Sequence, residues 1–557
     1  MQGVRGQQRQ VTTVRKRRRG ARLVVGLLAL SLLTTACADD EPNVTGTGAG
    51  NDATQARGAP VSPTGVQELR VGYGKDPWVD ASQGDKKRKP NYPLNADTCD
   101  TLVQLAPDFS VVPMATEGKY VGDNTFRFTL VPGVKFADGT PVTSAELKSS
   151  VDYTVAAPAV GTGFLGPDST KIVDDRSIDV TPRVPNLRLL EQINHPSTVV
   201  LKPGSDPLNS VENSVCTGPF KVERYTPEQE LVVVKNVNYW GKAPSLEKIT
   251  FKFYPDDTTR TLALRNNEVD MITDIPLNVL NTVSSQPDVK IAKAPTGFVH
   301  MFYISRRKAS GEPTLLSDPV LRRAVAHSID RNAYVKGVLG GNAEAIPHVA
   351  PPAVLGQFAN LVKGVPFDRN EANRLLDQAG WTRQGDGVRT KNGQPLRLKI
   401  VFQRLDLVTP EFVQAQLRAV GFDAQIAQLD AGAYRAALDS GDFDIDISAP
   451  NQNDGNPAFL IALRWYSQEG GGANNKVISP GADTKFNSMI DAILTETDQT
   501  ELKRKSAEAM HELIDNEIGG VTLGGLYRVY AMKNRVNGFE PHPSSTNQRW
   551  RTVFMRN

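Results

Sequence analysis

Residues 217–276 constrain the fold of this chain more than any other stretch, because they carry the pattern of a complete small α/β unit. Gly218-Pro219 marks a turn, and apolar and polar residues alternate in the segments that follow it. This alternation predicts three strands, and the apolar spacing after them predicts a short helix, at residues 220–225, 231–234, 249–253 and 258–266. The chain is therefore predicted to be an α/β protein.

The same unit carries the motifs TGPF, NVNYW and NNEVDM in this order. Their order resembles that in the bacterial extracellular solute-binding proteins of family 5, which include oligopeptide and dipeptide receptors. The resemblance runs from about Glu68 to the C-terminus. It implies an α/β fold of the periplasmic-binding-protein-like type II, peptide-binding cluster, in which two α/β lobes meet at a hinge and a smaller accessory domain is attached.

The resemblance also implies how the chain is divided into domains. After a signal peptide (residues 1–36) and a lipidated cysteine with a flexible tether (residues 37–66), we expect lobe I to be assembled from three separate segments. The accessory domain would be inserted between the first two of these segments, and lobe II between the last two. The expected segments are 67–102, 204–276 and 526–557 for lobe I, 103–203 for the accessory domain and 277–525 for lobe II.

The first 36 residues have the composition of an export signal. Basic residues up to Arg22 precede an apolar run at residues 23–33, which is too short to span a membrane comfortably. Eight of the 64 Lys and Arg residues of the chain lie in this segment, which contains no acid, so 56 remain against 61 Asp and Glu. The exported part is therefore mildly acidic, which argues against a nucleic acid partner.

Thr34-Thr35-Ala36-Cys37 resembles a lipobox, in which Cys37 would be lipidated and become the new N-terminus. The match departs at Thr34, where Leu is usual. A lipid on Cys37 would hold the protein at the outer face of the cell membrane. The alternative is a plain secretory signal that is cleaved near Ala36 or Ala38.

Only Cys99 and Cys216 remain in the exported part. Two cysteines in an oxidising compartment usually pair. The resemblance places both near the same lobe, so a disulfide is expected, and two buried thiols are the alternative.

Several helix starts are visible as local signals. Thr143 and Glu146 form a capping box after the turn Asp138-Gly139, in the segment that most resembles the family. Asp318-Pro319 and Asp368 are placed to cap two further helices. Strands are expected at residues 197–201, 298–304, 396–402 and 527–536, and the last of these would return the chain to lobe I near the hinge.

The resemblance implies a ligand site between the lobes, built from aromatic and polar side chains. Tyr73 and Tyr92 lie on or near the early loop that reaches the cleft in the family, and Arg404 could meet a carboxylate or phosphate. The candidate ligand-binding residues are Tyr73, Tyr92, Asn95, Tyr303, Arg404, Asn451, Asn453, Asp454, Trp465 and Tyr527.

The loop around Asn453 departs from the family pattern. In peptide receptors this loop supplies an aspartate for the α-ammonium of the ligand, and the following Gly-x-Pro aligns Asn453 with it and places Asp454 one residue later. An Asn amide offers neutral hydrogen bonds only, whereas a carboxylate pairs with an ammonium by charge. Either Asp454 turns inward and the peptide reading holds, or Asn453 selects an uncharged polar group.

The sequence gives no positive sign of catalysis, of a cofactor or of a metal site. Its six histidines are scattered, and it contains no nucleophile elbow, phosphate loop or dinucleotide motif. The expected function is that of a monomeric, lipid-anchored, extracytoplasmic substrate-binding protein that delivers a small peptide or peptide-like polar solute to an ABC permease. The alternative is an envelope lipoprotein that keeps the fold but acts as a regulatory or scaffold partner in cell-envelope assembly.

Overall fold

A computed structural model describes most of the chain beyond the first 62 residues. The described residues are 63–74, 95–107, 109–122, 124–156, 165–166, 168–182, 199–205, 215–275, 277–403, 405–450, 456–466, 475–481, 484–496, 498–543 and 548–557. None of the helices found within these ranges has the length and apolar character needed to cross a membrane. The predicted export signal, Cys37 and the tether up to residue 62 lie outside the described residues.

Strands are numbered in chain order. They are β1 (Glu68–Tyr73), β2 (Val103–Leu105), β3 (Val111–Pro113), β4 (Thr116–Gly122), β5 (Thr125–Leu130), β6 (Thr170–Asp174), β7 (Ser177–Val180), β8 (Phe220–Thr226), β9 (Glu230–Lys235), β10 (Lys248–Phe253), β11 (Met271–Ile272), β12 (Val289–Ile304), β13 (Ala343–Glu344), β14 (Thr390–Lys391), β15 (Gln394–Pro395), β16 (Arg397–Phe402), β17 (Asp423–Gln428), β18 (Ile445–Ser448), β19 (Gly520–Lys533), β20 (Val536–Asn537) and β21 (Phe554–Met555).

The α-helices are Asn95–Thr98, Ser144–Ala156, Asp257–Arg265, Leu277–Ser284, Pro319–His327, Arg331–Gly337, Pro352–Leu355, Arg369–Gln378, Val408–Ala419, Ala431–Ser440, Phe459–Trp465, Asn475–Ile478, Lys485–Ile493 and Gln499–His511. The described residues also form two 3₁₀ turns, Leu315–Ser317 and Gly356–Leu361, and one π-helical turn, Glu512–Asn516.

Eleven of the strands in the described residues form one sheet, in the order β17-β16-β18-β12-β19-β11-β1-β10-β9-β8, with β13 paired to β19. Its centre is the antiparallel pair of β12 and β19. Both strands pass from the β8–β11 half of the sheet, called here the first half, to the β16–β18 half, called the second half. The two halves are therefore joined by two continuous strands.

Both crossing strands are longer than the sequence pattern predicts. The strand expected at residues 298–304 begins nine residues earlier, and the strand expected at 527–536 begins at Gly520 and ends at Lys533. The register of β12 against β19 shifts between Pro295 and Val299 and again at His300. These bulges break the two-residue alternation on which the prediction rested, so each strand looked shorter than it is.

The unit at residues 217–276 is confirmed as strands β8, β9 and β10 followed by a helix. Asp256 caps that helix by accepting a 2.7 Å hydrogen bond from the Thr259 backbone N–H. Burial of alternate residues in β10, such as Ile249 and Phe251, follows the predicted pattern. Local periodicity and capping therefore suffice for this unit.

A second sheet, within residues 116–180 as described, has the order β4-β5-β7-β6. The predicted capping box opens its helix, since Glu146 Oε2 accepts the Thr143 N–H at 2.8 Å and Thr143 Oγ1 accepts the Ala145 N–H at 3.2 Å. Of the strand predicted at residues 197–201, residues 199–201 are described, and there Val199 and Leu201 make isolated bridges with Thr101 and Cys216 in place of a continuous strand.

In the second half, helices cover both faces of the sheet. One face packs Phe302, Ile400 and Ile445 against the helices Pro319–His327 and Val408–Ala419. Asp318 caps the first of these by accepting the Val320 N–H at 2.8 Å, as predicted. His327 is packed in this half, and its Nδ1–H donates a 2.9 Å hydrogen bond to the Pro366 carbonyl oxygen. Parallel strands covered on both faces are typical of an α/β core.

Cys99 and Cys216 form a disulfide with a Cα–Cα distance of 4.8 Å. Val199 and Leu201 pack around it in a small buried cluster. The bridge ties the helix Asn95–Thr98 to the start of the 217–276 unit, whose Gly218 N–H donates to the Thr98 carbonyl at 3.1 Å.

Candidate functional site

The topology directs two sets of strand ends to one place. In the first half β1 is parallel to β10 and β11, and in the second half β16 is parallel to β17 and β18. After β11, Ile275 N–H bonds to Val529 O, and after β18, Val299 N–H bonds to Pro450 O. The carboxyl ends of both sets therefore point toward the middle of the crossing strands. In open α/β sheets ligands bind outside such carboxyl ends.

In the first half, four side chains gather at this edge. Tyr73 is the last residue of β1, Asp274 follows β11, and Arg528 and Tyr530 project from one face of β19. Arg528 Nε lies 2.9 Å from Asp274 Oδ1, and the two side chains are 15% and 56% exposed. Because Asp274 is more than half exposed, this ion pair is accessible to solvent. The edge formed by these four residues is called here the hinge edge.

The pKa values of these groups reflect their partial burial. Burial raises the pKa of Tyr530 to about 12 against the opposing effect of Arg528, and burial likewise raises that of Tyr73. For Arg528, burial lowers the pKa, but Asp274 and the two tyrosines outweigh it and the net direction is upward. At neutral pH the edge thus carries two neutral phenols beside the Arg528 guanidinium.

Arg260 holds the two loops that form this edge. Its side chain is 4% exposed, and its guanidinium donates to the carbonyls of Tyr254 at 3.2 Å and Asp274 at 3.0 Å. These carbonyls follow β10 and β11. Arg260 therefore fixes the backbone of the two loops that carry Asp274 and the end of β10.

The second half carries a buried polar cluster close to its own carboxyl ends. Asp446 lies inside β18, where Tyr434 donates its hydroxyl to Oδ1 at 2.8 Å. Burial raises the pKa of Asp446 to about 6, opposed by Tyr434 and Arg464. Ser448, the last residue of β18, has a buried hydroxyl without a hydrogen-bond partner in the described part of the chain. The cluster lies directly before the loop that contains Asn451, Asn453 and Asp454 in the sequence.

Two predicted ligand residues lie in the core. Tyr303 and Trp465 are 1% and 0% exposed, and their rings pack with centroids 4.9 Å apart. Trp465 Nε1 donates to the Gly519 carbonyl at 3.1 Å, and Arg464 lies over the Tyr303 ring at 5.4 Å. Their packing therefore does not support the prediction that they contact a ligand; aromatic residues in this position fill the space between sheet and helices.

The other predicted residues are placed as follows. Tyr73 lies at the hinge edge, and Tyr527 is half-buried beside it, packed with Val529 on the opposite face of β19 from Arg528. Asn95 begins the helix Asn95–Thr98. The predicted residues outside the described part of the chain are Tyr92, Arg404, Asn451, Asn453 and Asp454. Their roles stay predictions.

Sequence reasoning missed Asp274, Arg528 and the Asp446 cluster. A signal existed for two of them, because Arg528 interrupts the apolar run LYRVYA and Asp446 interrupts the apolar strand IDIS. A charge inside a strand that is otherwise buried needs a partner or a function. Asp274 had no such signal, since it follows a short strand as an ordinary loop acid.

No group of three or more His, Cys, Asp or Glu side chains within the described ranges is placed to hold a metal ion.

Two α/β halves joined by crossing strands, with a smaller sheet attached and a polar-aromatic edge at the junction, define a type II periplasmic-binding-protein-like solute-binding fold. The sequence agrees: the profile of the bacterial extracellular solute-binding proteins, family 5 Middle, matches residues 110–472. The chain belongs to this family. The match covers more than half of the chain and includes both the four-stranded sheet and most of the second half.

Among curated relatives, the chain is 28% identical over 363 residues to a nickel-binding periplasmic protein of Escherichia coli (strain K12), covering 61% of this chain and 68% of that protein. It is 25% identical over 434 residues to a probable D,D-dipeptide-binding periplasmic protein of the same strain, covering 75% and 79%. A solved structure, NikA from Brucella suis in complex with Fe(III)-EDTA, superposes with a TM-score of 0.75 at 21% identity, covering 88% of this chain and all of that one. This superposition shows the fold.

Proposed function

We propose that this chain is the lipid-anchored substrate-binding protein of an ABC importer, and that it captures a short peptide or peptide-like polar solute. It would bind the solute between two lobes that close about the crossing strands and present the closed form to the permease. The lobes are proposed to follow the boundaries given above, with residues 103–203 as the accessory domain. Lipidation at Cys37 would keep the protein at the outer face of the membrane.

One observation carries this proposal: the ion pair of Arg528 and Asp274 at the edge where both sets of carboxyl ends meet. A short peptide carries an ammonium and a carboxylate, and this edge offers one group of opposite charge for each. Charge-assisted hydrogen bonds are about twice as strong as neutral ones. Tyr73, which is half-buried at the end of β1, adds aromatic surface next to the pair, and such a surface tolerates varied side chains.

The peptide class is also supported by the relatives. One of them is named a probable D,D-dipeptide-binding protein. A dipeptide is a zwitterion, so its recognition needs paired charges such as those at the hinge edge. The other relative is named a nickel-binding protein, which makes a small metal chelate the competing ligand to include in the test.

The test is native mass spectrometry of the exported chain, purified without denaturant and offered a dipeptide and tripeptide mixture. We expect a bound peptide in the wild type and its loss in Arg528→Gln and in Asp274→Asn. Arg435→Gln removes one partner of an exposed ion pair with Asp439 and serves as the matched control, because it lies on a helix surface. No adduct with any peptide would contradict the peptide ligand, and no adduct with a small nickel chelate offered in the same way would contradict the importer role and favour the scaffold alternative.

A further inference from the structure

A second polar pocket lies in the second half, away from the hinge edge. It has a volume of about 270 Å³, and its walls include Arg306, Arg307, Ser317 and Arg322. It opens beyond the last residue of β12, where the Ser305 N–H bonds to the Asp444 carbonyl at 2.9 Å, just before β18 begins. The pocket therefore lies at the amino ends of the parallel strands, opposite to the proposed solute site.

The three arginines differ in how fully their donors are used. Arg322 is saturated by backbone: its Nε donates to the Glu517 carbonyl at 2.9 Å and its Nη1 to the carbonyls of Leu316 and Ser317 at 3.0 and 2.8 Å. Its side chain is 6% exposed. Arg322 therefore builds the wall and supplies charge, with little capacity left for a ligand.

Arg306 is buried to 7% exposure and spends both terminal nitrogens on Glu517, at 2.8 Å to the carboxylate and 2.7 Å to the carbonyl. Its Nε is buried with no hydrogen-bond partner among the described residues. A buried guanidinium N–H without an acceptor costs free energy.

Arg307 is the adjustable member of the three. Its two hydrogen bonds, to the carbonyls of Lys476 and Pro480, are both 3.3 Å long, at the weak end of the range. Its guanidinium can turn toward a ligand without giving up a strong bond. The Ser317 hydroxyl on the same wall adds a neutral donor.

The charge balance of the pocket is positive. Three guanidinium groups line the pocket, and the carboxylate of Glu517 pairs with two of them, those of Arg306 and Arg322. Asp318 uses its carboxylate to cap the helix Pro319–His327 at the Val320 N–H. The N-terminal end of this nine-residue helix adds a partial positive charge next to Ser317. An anion would balance the excess.

We propose that this pocket binds an oxyanion of the phosphate type. Tetrahedral oxyanions accept several N–H and O–H donors at once, which suits guanidinium forks and a hydroxyl. The pocket volume of about 270 Å³ is several times the roughly 30 Å³ that one water molecule takes up in the liquid. The pocket therefore has room for a phosphate group with a small attached alcohol. The phosphate can thus come from free phosphate or from the headgroup of a phospholipid next to a membrane-anchored protein.

The test is isothermal titration of the exported chain with two soluble probes, inorganic phosphate and glycerophosphoglycerol, the latter being the deacylated form of an anionic lipid. We expect binding that weakens about tenfold in Arg307→Gln, the loss of about one charge-assisted hydrogen bond, and less in Ser317→Ala. Arg323→Gln is the matched control. Arg323 follows Arg322 on the helix Pro319–His327, and its side chain bonds to the Asp515 carbonyl at 3.2 Å, outside the pocket. Its affinity should equal that of the wild type.

Binding of the diester alone would assign the lipid headgroup as the source, and binding of phosphate alone would assign the free ion. No heat with either probe, or equal affinity in the wild type and Arg307→Gln, overturns the proposal. Unfolding midpoints of each variant, measured without probe, separate lost binding from lost folding. Because the pocket is remote from the hinge edge, peptide capture by native mass spectrometry should be unaffected in Arg307→Gln.

Discussion

Two arginines near the C-terminal end of the chain differ in how far their acid partners are exposed to solvent. Arg551 donates to Asp97 Oδ1 from Nε at 3.0 Å and from Nη2 at 2.9 Å, and its Nη1 donates to the Tyr239 hydroxyl at 2.7 Å. Asp97 and Asp100 are 2% and 0% exposed. Arg528, in contrast, has an acid partner that is 56% exposed.

The cluster around Arg551 is closed. Trp240 Nε1 donates to Asp100 at 3.0 Å, and the Arg551 backbone N–H donates to Asp97 at 2.8 Å. Three separate chain segments meet there, next to the disulfide. The charged groups of this buried cluster already bind one another and other protein groups, so they have no hydrogen-bonding positions left for a ligand. The exposed pair of Arg528 and Asp274, in contrast, can exchange a partner for a ligand. We infer that exposure of the acid, more than the identity of the base, separates the two roles.

The largest expected effect is the loss of the closed cluster. Arg551→Ala leaves the carboxylates of Asp97 and Asp100 buried without their cation, which should destabilise the fold by about 3–5 kcal/mol. Urea unfolding followed by tryptophan fluorescence measures it. Arg556→Ala, an exposed arginine in the same terminal segment, should leave the unfolding midpoint unchanged. Equal midpoints for both variants would show that the cluster contributes no more than a surface arginine.

The disulfide should come next. The double substitution Cys99→Ala and Cys216→Ala removes a link between residues 117 positions apart, and losses of this kind cost about 2–5 kcal/mol. Unfolding in the absence of reductant gives the value. Adding reductant should lower the midpoint of the wild type to that of the double variant and leave the variant unchanged; a wild-type midpoint insensitive to complete reduction would contradict this.

Asp446 is a buried acid, and the effect of its burial on its pKa is only partly offset by Tyr434 and Arg464. Its folded pKa is raised to about 6 by burial, so the folded state binds the proton more tightly than the unfolded chain. The resulting stabilisation is full below the unfolded pKa near 4 and is lost as the pH rises through about 6. Asp446→Asn removes this dependence, and its stability relative to wild type should increase by about 2–3 kcal/mol between pH 4 and pH 7.

Urea midpoints of both proteins across this pH range check the prediction. Asn can still accept the Tyr434 hydroxyl, so the hydrogen bond itself is retained. A constant difference between the two proteins from pH 4 to pH 7 would show that Asp446 titrates as it does in the unfolded chain.

The smallest expected effect on stability is at the hinge edge. Arg528→Gln leaves Asp274 facing water, so the free energy of unfolding should fall by about 1 kcal/mol or less. Peptide affinity should fall by tenfold or more in the same variant, measured by titration with the peptide found by mass spectrometry. A large loss of stability with unchanged affinity would place Arg528 with Arg551 as a structural residue and would reverse the comparison.

Local elements could be predicted from the sequence to a large degree. The capping box at Thr143 and Glu146 and the strands of the 217–276 unit depend on residues within a few positions of one another. The crossing strands were predicted too short because their bulges, at Pro295 and His300, interrupt the alternation. Bulges of this kind are set by the partner strand as much as by the strand itself.

The site depends on long-range placement more than the fold does. Tyr73 was expected near the ligand cleft because the resemblance places the loop after its strand there, and Tyr303 and Trp465 were expected there too, although they pack on each other in the core. An aromatic residue has the same sequence pattern in a core and in a cleft. Only the positions of the covering helices separate the two cases.

The sequence by itself determined the family, the α/β class and the helix caps, because each depends on residue order or on short-range chemistry. The tertiary structure decided that β12 and β19 run unbroken through both halves, and that Asp274 meets Arg528 across more than 250 residues of chain. Contacts at such separations depend on the register of long strands. A register shift of one residue would turn Arg528 to the other face, so only the assembled sheet settles which charges meet.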